Sequence, residues 1–282
     1  MLIYDCFLFN DELELLELRI EETKNVVHKW VLVECRMNWQ QKLKPLFFAE
    51  NKDRFAPYLD RIHHVVLDRH PVGPYPVIEW FQRRSLKDAW EGAGAVPGDL
   101  IMISDADEIA HPKTLASLQF DPPQQPIVLS QFLFYYSVDC LQMQHWNGPI
   151  VFQLGEGECD VQAVRDMRNR LPVASPGGWH FSWLGPLDKL QYKLNCHTVE
   201  ADSGGTIRPP SATDETFLNE CLLYGKDLFG RTDSYAQKRF VSLAPGTMHP
   251  FTIEPWLAKY PQFARRIAVN AEVEAHREQH GI

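Results

Sequence analysis

Asp105, Asp107 and Glu108 fall within four positions of "LIMISDADEIAHP" (100–112), directly after an apolar run. Carboxylates this close repel one another unless something positive offsets them. On a continuous strand the side chains alternate faces, so Asp105 and Asp107 are expected to point one way and Ala106 the other. Two hard oxygen donors facing one way suit Mn²⁺ or Mg²⁺, an ion that commonly shares its shell with a diphosphate. The competing reading is a solvated acidic turn ahead of a helix at Pro112, with Glu108 complementing the helix dipole.

The flanking elements decide where these carboxylates stand. Residues 2–9 read as a buried strand, followed by a helix with Asn10 as its expected N-cap and Asp11 and Glu12 in its first turn. Leu13, Leu16 and Ile20 share one face of that helix. Further strands are expected over 27–35, 61–68 and 99–105, and a helix over 79–92 with Phe81, Ser85 and Ala89 in register beside Trp90. Strands alternating with helices imply an α/β fold, a doubly wound, mostly parallel sheet with helices on both faces. In such sheets ligands bind beyond the carboxyl ends of the strands, which is where Asp105 lies.

The second half is less regular. It offers a strand-pair candidate (126–138), a Gly-rich turn (175–183), and a helix from Pro186 with Leu187, Leu190 and Leu194 on one face. A helix over 214–224 closes on Gly225, a loop spans 243–251, and a helix is expected over 256–280. No linker or repeat interrupts the chain, so residues 1–282 are expected to form one domain with two differing halves, 1–125 and 126–282.

Composition narrows the partners. With 28 Lys+Arg against 37 Asp+Glu, the net charge is −9 and no basic stripe runs along the chain, so nucleic acid is not an expected partner. The dense basic stretch, Arg165 to Arg170, holds three arginines with Asp166 among them. Six cysteines lie far apart without a C-x-x-C pair, which suits free thiols in a reducing cytoplasm. "MLIYDCFLF" lacks the basic start of a signal peptide. The longest mostly apolar stretch, 126–138, is short of the ~20 residues a membrane helix needs, so no transmembrane segment is expected.

Several segments together resemble glycosyltransferase family 17: "YDCFLFNDELELLELRI" (4–20), "FFAENKDRFAPYLDRIHHVVLD" (47–68), "EWFQRR" (79–84), "DLIMISDADEI" (99–109) and "GWHFSWLG" (178–185). Best known in that family are β-1,4-mannosyl-glycoprotein 4-β-N-acetylglucosaminyltransferases. The resemblance implies a GT-A-like fold, a UDP-sugar donor with UDP-GlcNAc first, a divalent metal, and inversion at the sugar carbon. It assigns 1–125 to nucleotide sugar and metal, and 126–282 to the acceptor. The family's D-x-D falls on Asp105 and Asp107, its Gly-Trp-His on Gly178, Trp179 and His180, and a His-x-x-Glu on His197 and Glu200. The chain departs from the pattern at "RMNWQQK" (36–42) and at Ala110, with Pro112 displaced.

The chemistry of sugar transfer distributes roles among these residues. A Lewis acid must neutralise the leaving diphosphate, a base must take the acceptor's proton, and water must be excluded. Asp105, Asp107, His180 and His197 are the metal-ligand candidates. Asp5, Arg83, Arg165, Trp179 and His180 join Asp105 as donor-binding candidates, the arginines through bidentate phosphate contacts and Trp179 or Trp183 by stacking. For Arg83 a salt bridge to Glu79, one helical turn earlier, is the structural alternative. Glu200 leads the candidates for the base, ahead of Glu158, Asp160 and Asp214. The expected acceptor is a hydroxyl of a glycan or lipid-linked saccharide.

Two other activities fit parts of the pattern. Haloacid-dehalogenase-type phosphatases also use an aspartate pair at a strand end, here Asp105 as nucleophile and Asp107 as acid/base. They place it on the first strand and expect Thr or Val where Ile109 stands. The other is a non-catalytic carbohydrate- or partner-binding protein retaining the fold, which the altered 36–42 stretch would suit.

Overall fold

The computed structural model describes residues 1–69, 71–72, 75–157, 159–196, 213–232 and 236–264. His197, Glu200, Glu158 and the expected helix beyond 264 lie outside the described residues. The chain divides into two compact units, Met1–Gln131 with Trp146–His180, and Phe132–His145 with Phe181–Ile282.

In the first unit, β1 (Ile3–Phe9), α1 (Leu13–Thr23), β2 (Lys29–Cys35), α2 (Phe47–Glu50), a 3-10 stretch (Lys52–Arg61), β3 (Ile62–Leu67), α3 (Tyr75–Gly92) and β4 (Leu100–Asp105) follow in order. The short β5 (Glu108–Ala110) and α4 (Pro112–Phe120) come next, then β6 (Ile127–Tyr135) begins in this unit. After an excursion through β7 (Cys140–Gln142), the chain returns as β8 (Trp146–Gln153), α5 (Val161–Asp166) and the start of β9 (Val173–Ser182). β1 pairs in parallel with β2 and β4, and β2 with β3, while β8 closes antiparallel on β4 and β6.

Strands covered on both faces read as continuous apolar runs, and alternate residues of β1 show why. Ile3 and Phe7 pack with Leu16 and Ile20 of α1, whereas Tyr4 and Cys6 pack with Leu86 and Trp90 of α3. The sheet is therefore wound on both sides, a GT-A-like α/β arrangement. The inward face of α3 is Ile78, Gln82, Leu86, Ala89 and Trp90; Phe81, expected to face inward with Ala89, is 40% exposed.

The structure corrects other local expectations. The first helix starts at Leu13, so Asn10 is not its cap; the Glu12 carboxylate instead accepts from the N–H groups of Asn10 and Asp11. The 126–138 stretch is one strand rather than a pair, and finds its main partner in β8. The glycine-rich 175–183 segment is not a turn but most of β9.

The second unit holds β7, the ends of β6 and β9, α6 (Leu187–Cys196), α7 (Glu215–Tyr224), β10 (Lys238–Phe240) and α8 (Ile253–Lys259). Gly225 closes α7 at φ 68°, as its position after the helix requires. α8 stops before Pro261 instead of continuing from 256 as one long helix. His249 is fully buried here; Nδ1 accepts from Ala244 N–H at 3.1 Å, so Nε2 carries the proton toward Val138 O at 2.9 Å.

Burial holds the His249 pKa below its ordinary value, against smaller opposing effects of Val138 and Asp139. The unfolded chain binds a proton that the folded chain refuses, so stability rises with pH between the folded and unfolded values. Chemical unfolding is expected to show stability intact above the ordinary histidine range and falling as pH drops through it. In His249→Gln that slope should be reduced; an unchanged slope would place the acid sensitivity elsewhere.

Candidate active site

The acidic turn sits at the carboxyl end of β4, and its shape comes from a buried arginine. β4 ends at Asp105, the chain turns through Ala106 and Asp107, and β5 begins at Glu108. Strict alternation therefore fails here: Asp107 lies in a turn, not on the strand. Arg19 of α1, with no exposed surface, donates to the backbone carbonyls of Asp105 (3.0 Å), Ala106 (3.3 Å) and Glu108 (2.9 Å). Its remaining donors reach both Asp5 carboxylate oxygens, at 2.7 and 2.5 Å, and Ser104 Oγ. Asp5 is thus the buried counter-ion of Arg19, and the structure does not bring it to any surface where a donor could touch it.

Two more guanidiniums grip the turn from outside. Arg83 Nη1 donates to Asp105 Oδ1 at 3.1 Å and Arg165 Nη2 to Asp105 Oδ2 at 2.5 Å. Arg83 also binds Glu79, so the intrahelical salt bridge and the contact to the turn coexist. Arg165 continues to Gly148 O at 3.0 Å and lies 3.4 Å from Glu108 Oε1. Burial alone would raise the Asp105 pKa, but Arg165 and then Arg83 outweigh it and hold the carboxyl well below the usual range. Each of the two Asp105 carboxylate oxygens thus already accepts from a guanidinium.

Glu108 is fully buried and wholly engaged. Its carboxylate accepts the Asp105 N–H at 2.9 Å and Trp146 Nε1 at 2.7 Å. The close approach needs Gly148, because a Cβ there would stand 2.9 Å from Trp146 Cδ1 and 3.1 Å from Glu108 Oε1. Neither Trp146 nor Arg19 was singled out by the sequence, and the residues they meet lie up to 89 positions away.

β5 pairs antiparallel with β9, placing Glu108 opposite His180, Ile109 opposite Trp179 and Ala110 opposite Gly178. Gly178 has φ 120°, and a Cβ there would lie 2.1 Å from Ile109 O, so only glycine lets the strands close at this point. The pairing brings His180 Nε2 to 3.4 Å from Asp107 Oδ1. His180 Nδ1 has no hydrogen-bond partner among the described residues, and the His180 ring lies 5.1 Å from Trp146. Trp179, on the opposite face of β9, is fully buried with its ring 5.3 Å from His111. An indole with no exposed face cannot stack on a sugar, and Trp183, in the second unit, is 3% exposed beneath Lys193.

The remaining candidate bases have structural duties. Asp160 caps α5 by accepting from Gln162 and Ala163 N–H, and Asp214 caps α7 by accepting from Phe217 N–H. The departing 36–42 stretch forms a hairpin-like loop in which Trp39 Nε1 donates to Gln82 Oε1 at 3.2 Å, one residue from Arg83. The six cysteines are free, five of them buried.

A mostly parallel sheet wound on both faces, with an acidic turn at the carboxyl end of β4, is a GT-A-like α/β fold. The sequence model of glycosyltransferase family 17 matches residues 1–241, and the chain belongs to that family; it is a glycosyltransferase. No curated protein matches it. Among solved structures it is similar to a 4-diphosphocytidyl-2C-methyl-D-erythritol synthase (13% identity, TM-score 0.35, covering 61% of this chain and 88% of that one). It is also similar to an inositol-1-phosphate CTP transferase from T. maritima (10%, TM-score 0.32, covering 65% and 86%). A third is a nucleotide-diphospho-sugar transferase, described as putative, from Desulfovibrio desulfuricans (11%, TM-score 0.30, covering 80% and 98%).

Proposed function

We propose that the protein is a metal-dependent, inverting glycosyltransferase that moves GlcNAc from UDP-GlcNAc to a hydroxyl of a glycan or lipid-linked saccharide. The observation that carries this reading is the pairing of Asp107 with His180 beside an Asp105 carboxylate held by Arg83 and Arg165 at the carboxyl end of β4. The phosphatase reading needs Asp105 free as a nucleophile, and two guanidiniums occupy it.

The Asp107 carboxylate and His180 Nε2 fit Mn²⁺ or Mg²⁺ as a partial donor set, one hard oxygen and one imidazole nitrogen. Among the described residues no three metal-ligating side chains converge, so water and donor phosphate oxygens would complete the shell. When bound, the ion supplies positive charge against the leaving diphosphate. The charge of Asp105 is shared between Arg83 and Arg165. His197 stays a proposed ligand and Glu200 the proposed base, both carried by the family pattern.

No helix among the described residues is long and apolar enough to cross a membrane. Free cysteines favour action in the cytoplasm. The test is release of nucleotide from a panel of UDP-, GDP- and TDP-sugars with Mn²⁺, measured with and without an oligosaccharide acceptor pool. Release from UDP-GlcNAc in excess of the others supports the donor, and release from a different sugar nucleotide replaces it. No release from any of them contradicts the transferase reading of the site.

A further inference from the structure

Three arginines flank the acidic turn, and they differ in what they touch. Arg83 and Arg165, the guanidiniums expected to meet phosphate, are both held by carboxylates of the protein itself. Arg168, just beyond α5, lies with its Cζ 4.5 Å over the Trp146 ring. It has no carboxylate within salt-bridge reach and no hydrogen-bond partner among the described residues. Burial, followed by the charge of Arg165, lowers its pKa, and Glu108 and Asp105 only partly offset them.

Trp146 makes a firm support for that guanidinium. Its Nε1 is tied to Glu108, Gly148 leaves it room, and its ring neighbours His180, the imidazole that faces Asp107. Asp107, His180, Trp146 and Arg168 thus form a continuous row. A guanidinium presents five donors in a planar fork that matches phosphate oxygens, and donors with no partner among the described residues, on a side chain that also feels the charge of Arg165, favour an anion.

We propose that Arg168 is an anion-binding residue of this site and takes the diphosphate of the donor next to the Asp107–His180 pair. The identity of the anion rests on the transferase reading; the existence of the anion subsite does not. In transfer, the bond from the sugar carbon to the diphosphate oxygen breaks and its electron pair stays on that oxygen. The acceptor oxygen forms the new bond and its proton passes to a base. Charge grows on the diphosphate as that bond breaks, so a contact from Arg168 strengthens toward the transition state.

Calorimetric titration of wild type, Arg168→Gln and Arg168→Lys with inorganic pyrophosphate and with UDP tests this, each in EDTA and in Mn²⁺. Arg168→Gln is expected to weaken pyrophosphate binding about tenfold or more in both conditions, the scale of one lost charge-assisted hydrogen bond. Arg168→Lys keeps the charge and loses the fork, so it is expected to fall between the two, and it serves alone if the Gln variant does not fold. Equal pyrophosphate affinity in all three proteins would overturn the proposal, reduce Arg168 to packing on Trp146, and leave the transferase reading standing. Absence of pyrophosphate and UDP binding in wild type would overturn it too. Arg168-dependent pyrophosphate binding without nucleotide release from any sugar nucleotide would keep the subsite and remove the transferase reading.

Discussion

Asp107→Asn is expected to lower transfer activity by roughly 10²–10³-fold, the scale seen when one group stabilising developing charge is removed. The substitution keeps the shape of a side chain that is 12% exposed and faces His180. The turn is held through Arg19 and the carbonyls of its neighbours, none of which depends on the Asp107 carboxylate. The turn backbone should therefore keep its shape while the response to Mn²⁺ disappears. Asp105→Asn makes a useful contrast, because it leaves Arg83 and Arg165 short of a counter-ion and should reduce stability and activity together. Full activity in Asp107→Asn, measured as nucleotide release, would remove this residue from the chemistry.

Arg19→Met is expected to cost about 3–5 kcal/mol of stability, the range for removing one partner of a buried ion pair. It strands the Asp5 carboxylate, which has no exposure, and leaves three turn carbonyls without their donor. Against a total of about 5–15 kcal/mol for a domain, such a loss approaches unfolding at ordinary temperature. Adding Asp5→Leu should recover part of it, since replacing both members by apolar groups removes the uncompensated charge. The recovered double variant is still expected to be catalytically poor, because nothing then fixes the Asp105–Glu108 backbone. Urea unfolding of the single variants and the pair checks this; a loss below about 1 kcal/mol in Arg19→Met would show that the pair does not carry the turn.

The strands expected over 2–9, 27–35 and 99–105, found at Ile3–Phe9, Lys29–Cys35 and Leu100–Asp105, were legible because both sheet faces are covered, and the position of the acidic turn followed from the parallel order. What periodicity could not show is where a strand stops. Asp105 and Asp107 satisfy the two-residue repeat, yet the Arg19 contacts and the Asp105 N–H to Glu108 bond fold the chain between them. Those contacts cross 86 and 3 positions, and the longer one leaves no local mark.

Arg19 itself carried a clue, being a charge on α1 beside Leu16 and Ile20, which line the core. Glycines suggested a turn at 175–183, although glycine within a strand also marks close backbone approach. Gly177 and Gly178 do this against Ser130 and Ile109. Asp160 and Asp214 drew attention as loose carboxylates, when an aspartate immediately before a helical pattern is better read as a cap.

The central claim is that the Asp107–His180 end of the site binds a sugar nucleotide together with a divalent ion. Thermal unfolding of the wild-type protein with UDP-GlcNAc, in Mn²⁺ and in EDTA, tests it most directly. A ligand that binds only the folded chain stabilises it by RT ln(1 + [L]/Kd), about 2.7 kcal/mol at a hundredfold excess over Kd. The account predicts a rise in Tm with UDP-GlcNAc and Mn²⁺ together that is absent in EDTA. An unchanged Tm with donor and Mn²⁺ both saturating, or the same rise in EDTA, would contradict it.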